Sequence, residues 1–217
     1  MWTGAILQRL LRGAMPGFIL RRGAADDAHV YLTFDDGPDI ENTPLILEAL
    51  RQHRVKATFF VLGSACERSP EIVRQMMAEG HLVANHGYEH LPPSAAPGRR
   101  YIDNVLRGQA VIEKIAARSL ARLFRPPFGA LGARALWDLW RHDFQVVLWS
   151  VDSLDSKAGA TAQTVTERLR PGRVAAGDIV LLHDDYARTA TALPAVLERL
   201  QESGHVLTAF DRDQIAA

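Results

Sequence analysis

Tyr31-Leu32-Thr33-Phe34-Asp35-Asp36-Gly37-Pro38 reads as a buried strand that stops on two carboxylates and a turn. With His29 and Val30 before it, the run is mostly β-branched, aromatic or apolar, as strands are. Gly37-Pro38 then ends it. Adjacent carboxylates at the end of an apolar strand repel one another, and a low-dielectric surrounding makes that worse. A cation beside Asp35 and Asp36 relieves the cost, and a metal ion is the simplest one. A surface turn between strands is the competing explanation, which only the context of the motif can decide.

Outward from this stretch, strands alternate with helices. Strands are expected at 30–35, 57–62, 81–84, 121–125, 144–149, 178–182 and 206–209. Helices are expected at 43–53, 70–79, 101–117, 133–141, 164–170 and 192–202, with a proline-rich loop at 91–100. Such alternation implies an α/β fold with parallel strands joined by helical crossovers. Seven strands suit a barrel or an open doubly wound sheet, and periodicity does not choose between them. The unusual polar residues, Asp35, Asp36, His86, Arg125, Asp152 and His183, all fall just after the C-terminal ends of strands. In either architecture that edge is where sites assemble.

At 217 residues the chain fits one domain, spanning 1–217, with 1–28 as an N-terminal extension packed on it. Apolar residues make up 47%, enough for a sizeable core. Lys plus Arg and Asp plus Glu each total 25, so the electrostatic footprint of a nucleic-acid binder is missing and no nucleic-acid partner is expected. The single cysteine, Cys66, excludes an internal disulfide framework and reads as a small buried side chain. No run approaches the roughly 18 apolar residues of a membrane span. Trp2, Ile6 and Leu10 recur every four residues beside Arg9 and Arg12, the pattern of a short helix on the domain or on a membrane surface. Gln8, Arg9 and Arg12 interrupt the apolar core that a secretory signal needs. A cytoplasmic location is therefore expected, with peripheral membrane contact through the N-terminus as its variant.

Four further stretches carry chemistry. Asn85-His86-Gly87-Tyr88-Glu89-His90 sets two imidazoles four residues apart, on one face if the segment is helical. With one carboxylate they make a two-His, one-Asp donor set that leaves positions open for water and substrate. Two unrelated surface histidines, in a chain with eight, are the alternative. Arg125-Pro126-Pro127-Phe128-Gly129 is a rigid loop that can hold a guanidinium in a forked pair with a carboxylate, or an ordinary loop with a solvated arginine. Trp149-Ser150-Val151-Asp152-Ser153-Leu154-Asp155 leads from an aromatic strand end to two carboxylates, of which Asp155 reads as solvated. His183 follows four apolar residues, at the mouth of a buried strand, where it can titrate as acid or base or sit as a satisfied core histidine.

These five pieces, in this order, resemble the polysaccharide deacetylases of carbohydrate esterase family 4, the NodB-homology fold, over about residues 30–210. The resemblance implies an irregular (β/α)7 barrel. It also implies a metal-dependent N-deacetylase that hydrolyses the acetamide of an N-acetylated sugar in an oligosaccharide, a polysaccharide or a lipid-linked glycan. By it, Asp36, His86 and His90 bind one divalent ion, Zn2+ first, with Co2+ or another divalent ion as alternatives. Asp35 is the general base, oriented by Arg125, and His183 is the acid, paired with Asp152. Leu181 lines the pocket for the acetyl methyl and the Phe128 N–H helps hold the oxyanion. Two positions depart from the family. Gly87 stands where a Ser or Thr hydroxyl usually steadies the loop, and Ser156 stands where a Trp often walls the acetyl pocket, leaving a wider pocket or an aromatic such as Trp149 in its place. An amidohydrolase on a small cyclic amide and a catalytically idle sugar-binding barrel are the competing functions. The oligomeric state is left open.

Overall fold

The computed structural model describes residues 18–24 and 27–211. The expected N-terminal helix, with Trp2, Ile6 and Leu10, lies outside them. The strands are β1 (Ile19–Leu20), β2 (His29–Asp35), β3 (Thr58–Val61), β4 (Leu82–Asn85), β5 (Leu123–Phe124), β6 (Gln145–Val147), β7 (Val151–Asp152), β8 (Ile179–His183) and β9 (Val206–Thr208). The helices are α1 (Asn42–Gln52), α2 (Gly63–Arg68), α3 (Pro70–Ala78), α4 (Arg100–Ala116), α5 (Ala133–Arg141), α6 (Ala162–Arg168) and α7 (Ala187–Glu202). One sheet runs β1-β6-β5-β4-β3-β2-β8-β7, and β9 joins the first residues of β2. Its ladders are parallel, as helical crossovers require.

The sheet curls into an irregular barrel because β6 and β7 are two halves of one segment. The first half pairs with β5 and the second with β8, so the chain at 148–150 links the two ends of the sheet. The expected strand at 144–149 is thus a longer, kinked stretch that changes partners. β1 fills the remaining gap. Phe18 and Leu20 carbonyls accept from Val146 and Leu148 N–H at 2.8 and 2.7 Å, and Gly23 N–H donates to Gly177 O at 2.7 Å, just before β8.

Side-chain parity along the strands decides what faces the barrel interior. Val30, Leu32 and Phe34 of β2, with Val180 and Leu182 of β8, pack outward against apolar helix residues such as Ile46, Leu47, Val73, Val196 and Leu197. Tyr31, Phe60, Ala84, Leu123, Val147 and Ile179 fill the interior. Two residues beyond Tyr31, Leu123 and Ile179 along the same inward columns come Thr33, Arg125 and Leu181, and two further come Asp35 and His183. The polar groups therefore cap a packed apolar column at the C-terminal edge of the sheet.

Candidate active site

β2 lies between β3 and β8, with Asp35 in register with Phe60 on one side and His183 on the other. Asp36 follows in the left-handed region, φ 77°, and so leaves the strand alternation that would have sent its side chain to the opposite face. Its Oδ1 is buried and lacks a hydrogen-bond partner among the described residues. His86 Nε2 and His90 Nε2 each lie 3.4 Å from that oxygen, and the three donor atoms fall within 4.8 Å of one another. His86 Nδ1–H donates to the Arg125 carbonyl at 2.7 Å, which leaves Nε2 as a bare lone pair. An orphaned carboxylate oxygen facing two imidazole nitrogens suits a divalent cation, and these three residues could hold one.

The two histidines do not meet by helical periodicity. Residues 86–90 form a loop, bent at Gly87 with φ 96°, and the rings approach to 5.1 Å. Asn104 of α4 staples this loop from outside: its Oδ1 accepts from Glu89 N–H and its Nδ2 donates to Glu89 O, both at 2.9 Å. A Cβ at position 87 would stand 2.8 Å from Asn104 Nδ2. The steadying expected of a hydroxyl at position 87 is supplied instead by an amide from a different element, and glycine makes room for it.

Arg125 is fully buried. Its Nη1 donates to Asp35 Oδ1 and to Thr33 Oγ1, each at 2.7 Å, while Nη2 and Nε reach the Leu148 and Val147 carbonyls at 3.2 and 3.3 Å. The guanidinium also stacks 4.1 Å from the Phe60 ring centroid. A buried charge needs a partner and satisfied donors, and the guanidinium has both; it meets Asp35 through one bond, Nη1 to Oδ1, and not through the forked pair that the loop suggested.

His183 is not paired with Asp152. Its Nδ1–H donates to Asp155 Oδ1 at 2.7 Å, and its backbone N–H donates to Asp155 Oδ2 at 2.8 Å. The register explains the difference. Asp152 stands opposite Leu181, two residues short of His183, and its Oδ1 accepts from Leu154 N–H at 2.8 Å. Leu154, at φ 62°, reverses the chain and brings Asp155 under the imidazole. Asp155 is therefore fully buried, not solvated as its loop position implied. Burial alone would push His183 down, but the Asp155 hydrogen bond and charge, aided by Asp35 and Asp36, outweigh it and raise its pKa from 6.5 to about 9.

A cavity of about 520 Å³ opens over these groups, lined by Asp35, Asp36, His86, His90 and His183. Trp149, Phe128, Leu181 and Tyr186 supply its apolar walls, and Asp152, Ser156 and Lys157 its polar rim. Phe128 sits at φ 59°, 68% exposed, with its ring edge-on to His90 at 4.3 Å. Trp149 packs close enough on Gly129 that a Cβ there would come within 2.9 Å of the indole. Ser156 brings no ring to the cavity, whose lining holds Trp149, Tyr186 and Phe128 as its aromatic residues besides histidine. Asn104, Thr189, Tyr186 and Lys157 carried no signal in the sequence. Asp184, which directly follows His183, was not singled out either. It is buried beneath the turn at 35–38, where Thr43 Oγ1 donates to it at 2.6 Å and Gly37 leaves no room for a Cβ.

The family model described as polysaccharide deacetylase matches residues 22–147. A peptidoglycan-N-acetylglucosamine deacetylase of Bacillus cereus is 35% identical over 186 residues, which cover 84% of this chain and 66% of that protein. A chitooligosaccharide deacetylase of Bradyrhizobium sp. is 39% identical over 178 residues, 79% of each chain. Among solved structures, the Bc1960 peptidoglycan N-acetylglucosamine deacetylase superposes with a TM-score of 0.82 at 33% identity, covering 89% of this chain and 91% of that one. With the five motifs on the C-terminal edge of one barrel, a family match over more than half its length and relatives above 30% identity, the chain belongs to the polysaccharide deacetylase family.

Proposed function

We propose that this polysaccharide deacetylase hydrolyses the acetamide of N-acetylglucosamine units in a glycan, with Asp35 as general base and His183 as general acid. One observation carries the assignment. A single cavity gathers an arginine-held carboxylate, a carboxylate-held imidazole and the Asp36, His86 and His90 donor set. The relatives named above take their names from peptidoglycan N-acetylglucosamine and from chitooligosaccharides, and both substrates share this sugar.

Amide hydrolysis needs a deprotonated water, charge stabilisation at the carbonyl oxygen and a proton for nitrogen. Asp35 takes a proton from the attacking water, and Arg125 anchors its Oδ1 by a hydrogen bond, which leaves Oδ2 for that transfer. A divalent cation held by Asp36, His86 and His90, Zn2+ first among the candidates, would polarise the carbonyl and acidify the water. His183 gives its proton to the nitrogen as the C–N bond breaks, so that acetate and an amine leave. With its pKa raised to about 9, the imidazolium persists at neutral pH. Leu181 offers an apolar contact for the acetyl methyl, and Trp149, Phe128 and Tyr186 offer ring faces for the sugar.

The test is acetate release from an acetylated chitin oligomer. The wild type with Zn2+ releases acetate, a chelator stops it, and Asp35→Asn and His183→Ala each lower kcat at least about a hundredfold. Full rates in both variants would overturn the base and acid assignments together.

A further inference from the structure

The first turn of α7 grips the 153–160 loop at two points. Thr189 Oγ1–H donates to Asp155 Oδ2 at 2.7 Å. Next to it, Arg188 Nη1 donates to the Ala160 and Lys157 carbonyls at 3.0 and 3.3 Å. Thr189 and Asp155 are both fully buried, and Thr189 does not line the cavity.

The Asp155 carboxylate thus receives three donors. The His183 ring N–H is on Oδ1, while the His183 backbone N–H and the Thr189 hydroxyl are on Oδ2. A carboxylate oxygen has two lone pairs, so Oδ2 is saturated and the plane of the group is fixed. Oδ1 is left to the imidazole. Losing the hydroxyl at constant shape would leave Oδ2 short of a donor in a buried site. The carboxylate would then draw more strongly on the one mobile proton within reach, that of His183.

We infer that Thr189 is a positioning residue for proton transfer: its hydroxyl fixes the Asp155 carboxylate and moderates its hold on the His183 proton. This rests on His183 being the acid. Asp155 is the carboxylate in contact with the imidazole, Asp35, Asp36, Asp185 and His90 act on it through their charge, and the Tyr186 ring stands edge-on at 5.9 Å. Thr189 is uncharged, so its replacement leaves all of these in place.

The experiment uses Zn2+-loaded protein and two readouts: the titration of the His183 ring by heteronuclear NMR, and the pH–rate profile on a chitin oligomer. In Thr189→Val the His183 midpoint rises by about half a pH unit, the alkaline limb follows it, and kcat falls about fivefold because a tighter-held proton is donated more slowly. Thr189→Ser restores both. Arg188→Ala loosens the same loop without touching the carboxylate, and leaves the His183 midpoint where it was. An unmoved or lowered midpoint in Thr189→Val, or an equal shift in Arg188→Ala, overturns the inference. A midpoint that moves while the alkaline limb stays put supports the hydrogen-bond assignment and overturns His183 as the acid.

Discussion

Among the described residues Arg125 is the largest side chain with no solvent exposure. Lysine in its place keeps the charge but has one nitrogen where the guanidinium spreads three over Asp35, Thr33, Val147 and Leu148. Arg125→Lys should lower stability by about 3 kcal/mol in denaturant melts, and kcat with it. Zn2+ binding should survive by calorimetry, since His86 is oriented by the backbone carbonyl that the substitution keeps. Asp155→Asn tests the pair behind the acid. His183 is raised from 6.5 to about 9, so its stabilising contribution is fully present below pH 6.5 and is lost as pH rises through 9. In Asp155→Asn that fall in stability should vanish from melts between pH 6.5 and 9, and the alkaline limb of activity should move down. Asp35, Asp36, Arg125 and His183 were legible in the sequence because each stands at the end of an apolar strand, and parallel topology brings those ends to one edge; the left-handed turn that aims Asp36 was not. Asp155 and Thr189 were not. Their burial comes from a chain reversal at Leu154 and from the docking of α7, and neither leaves a local pattern.

Elements with a long apolar period were legible within a residue or two, as α1 and α4 illustrate. β1 and β7, two residues each, have no period to read, and they exist only through the neighbours they pair with. The helix α2, six residues long and starting directly after β3, is too short to show a period of its own. The loop at 86–90 depends on α4 in the same way. Gly108 lets the helix come so close that a Cβ there would sit 2.7 Å from the Gly87 backbone, and Asn104 then reaches Glu89. Asn104→Ala should weaken Zn2+ binding about tenfold, the lower end of what losing an outer support costs a metal site. Gly87→Ser should weaken it as well, because φ 96° is unfavourable for a side chain and Asn104 already occupies the space. Competition with a fluorescent zinc chelator reads both, and a serine variant that binds more tightly would show that the loop prefers the hydroxyl.

For the whole molecule, the barrel depends on a segment that sequence periodicity left unassigned. Residues 18–23 brace β6, whose Val147 carbonyl, with that of Leu148 just after it, holds Arg125. A chain starting at Ala24 loses the Phe18, Leu20 and Gly23 backbone hydrogen bonds and the burial of Phe18. At about 1 kcal/mol for each bond and roughly 2–4 °C for each kcal/mol in a protein of this size, Tm should fall about 10 °C. A scanning calorimeter would read it, and an unchanged Tm would make the segment dispensable. The partner change between β6 and β7 bears on how the chain can be reconnected. Across 148–150 the two ends of the sheet are joined by covalent bonds, so the order of residues there is itself a structural tie. A circular permutant with new termini between Trp149 and Ser150 would turn that tie into a noncovalent contact. One opened at Gly98, in an exposed loop where a Cβ meets nothing within 4 Å, would keep it.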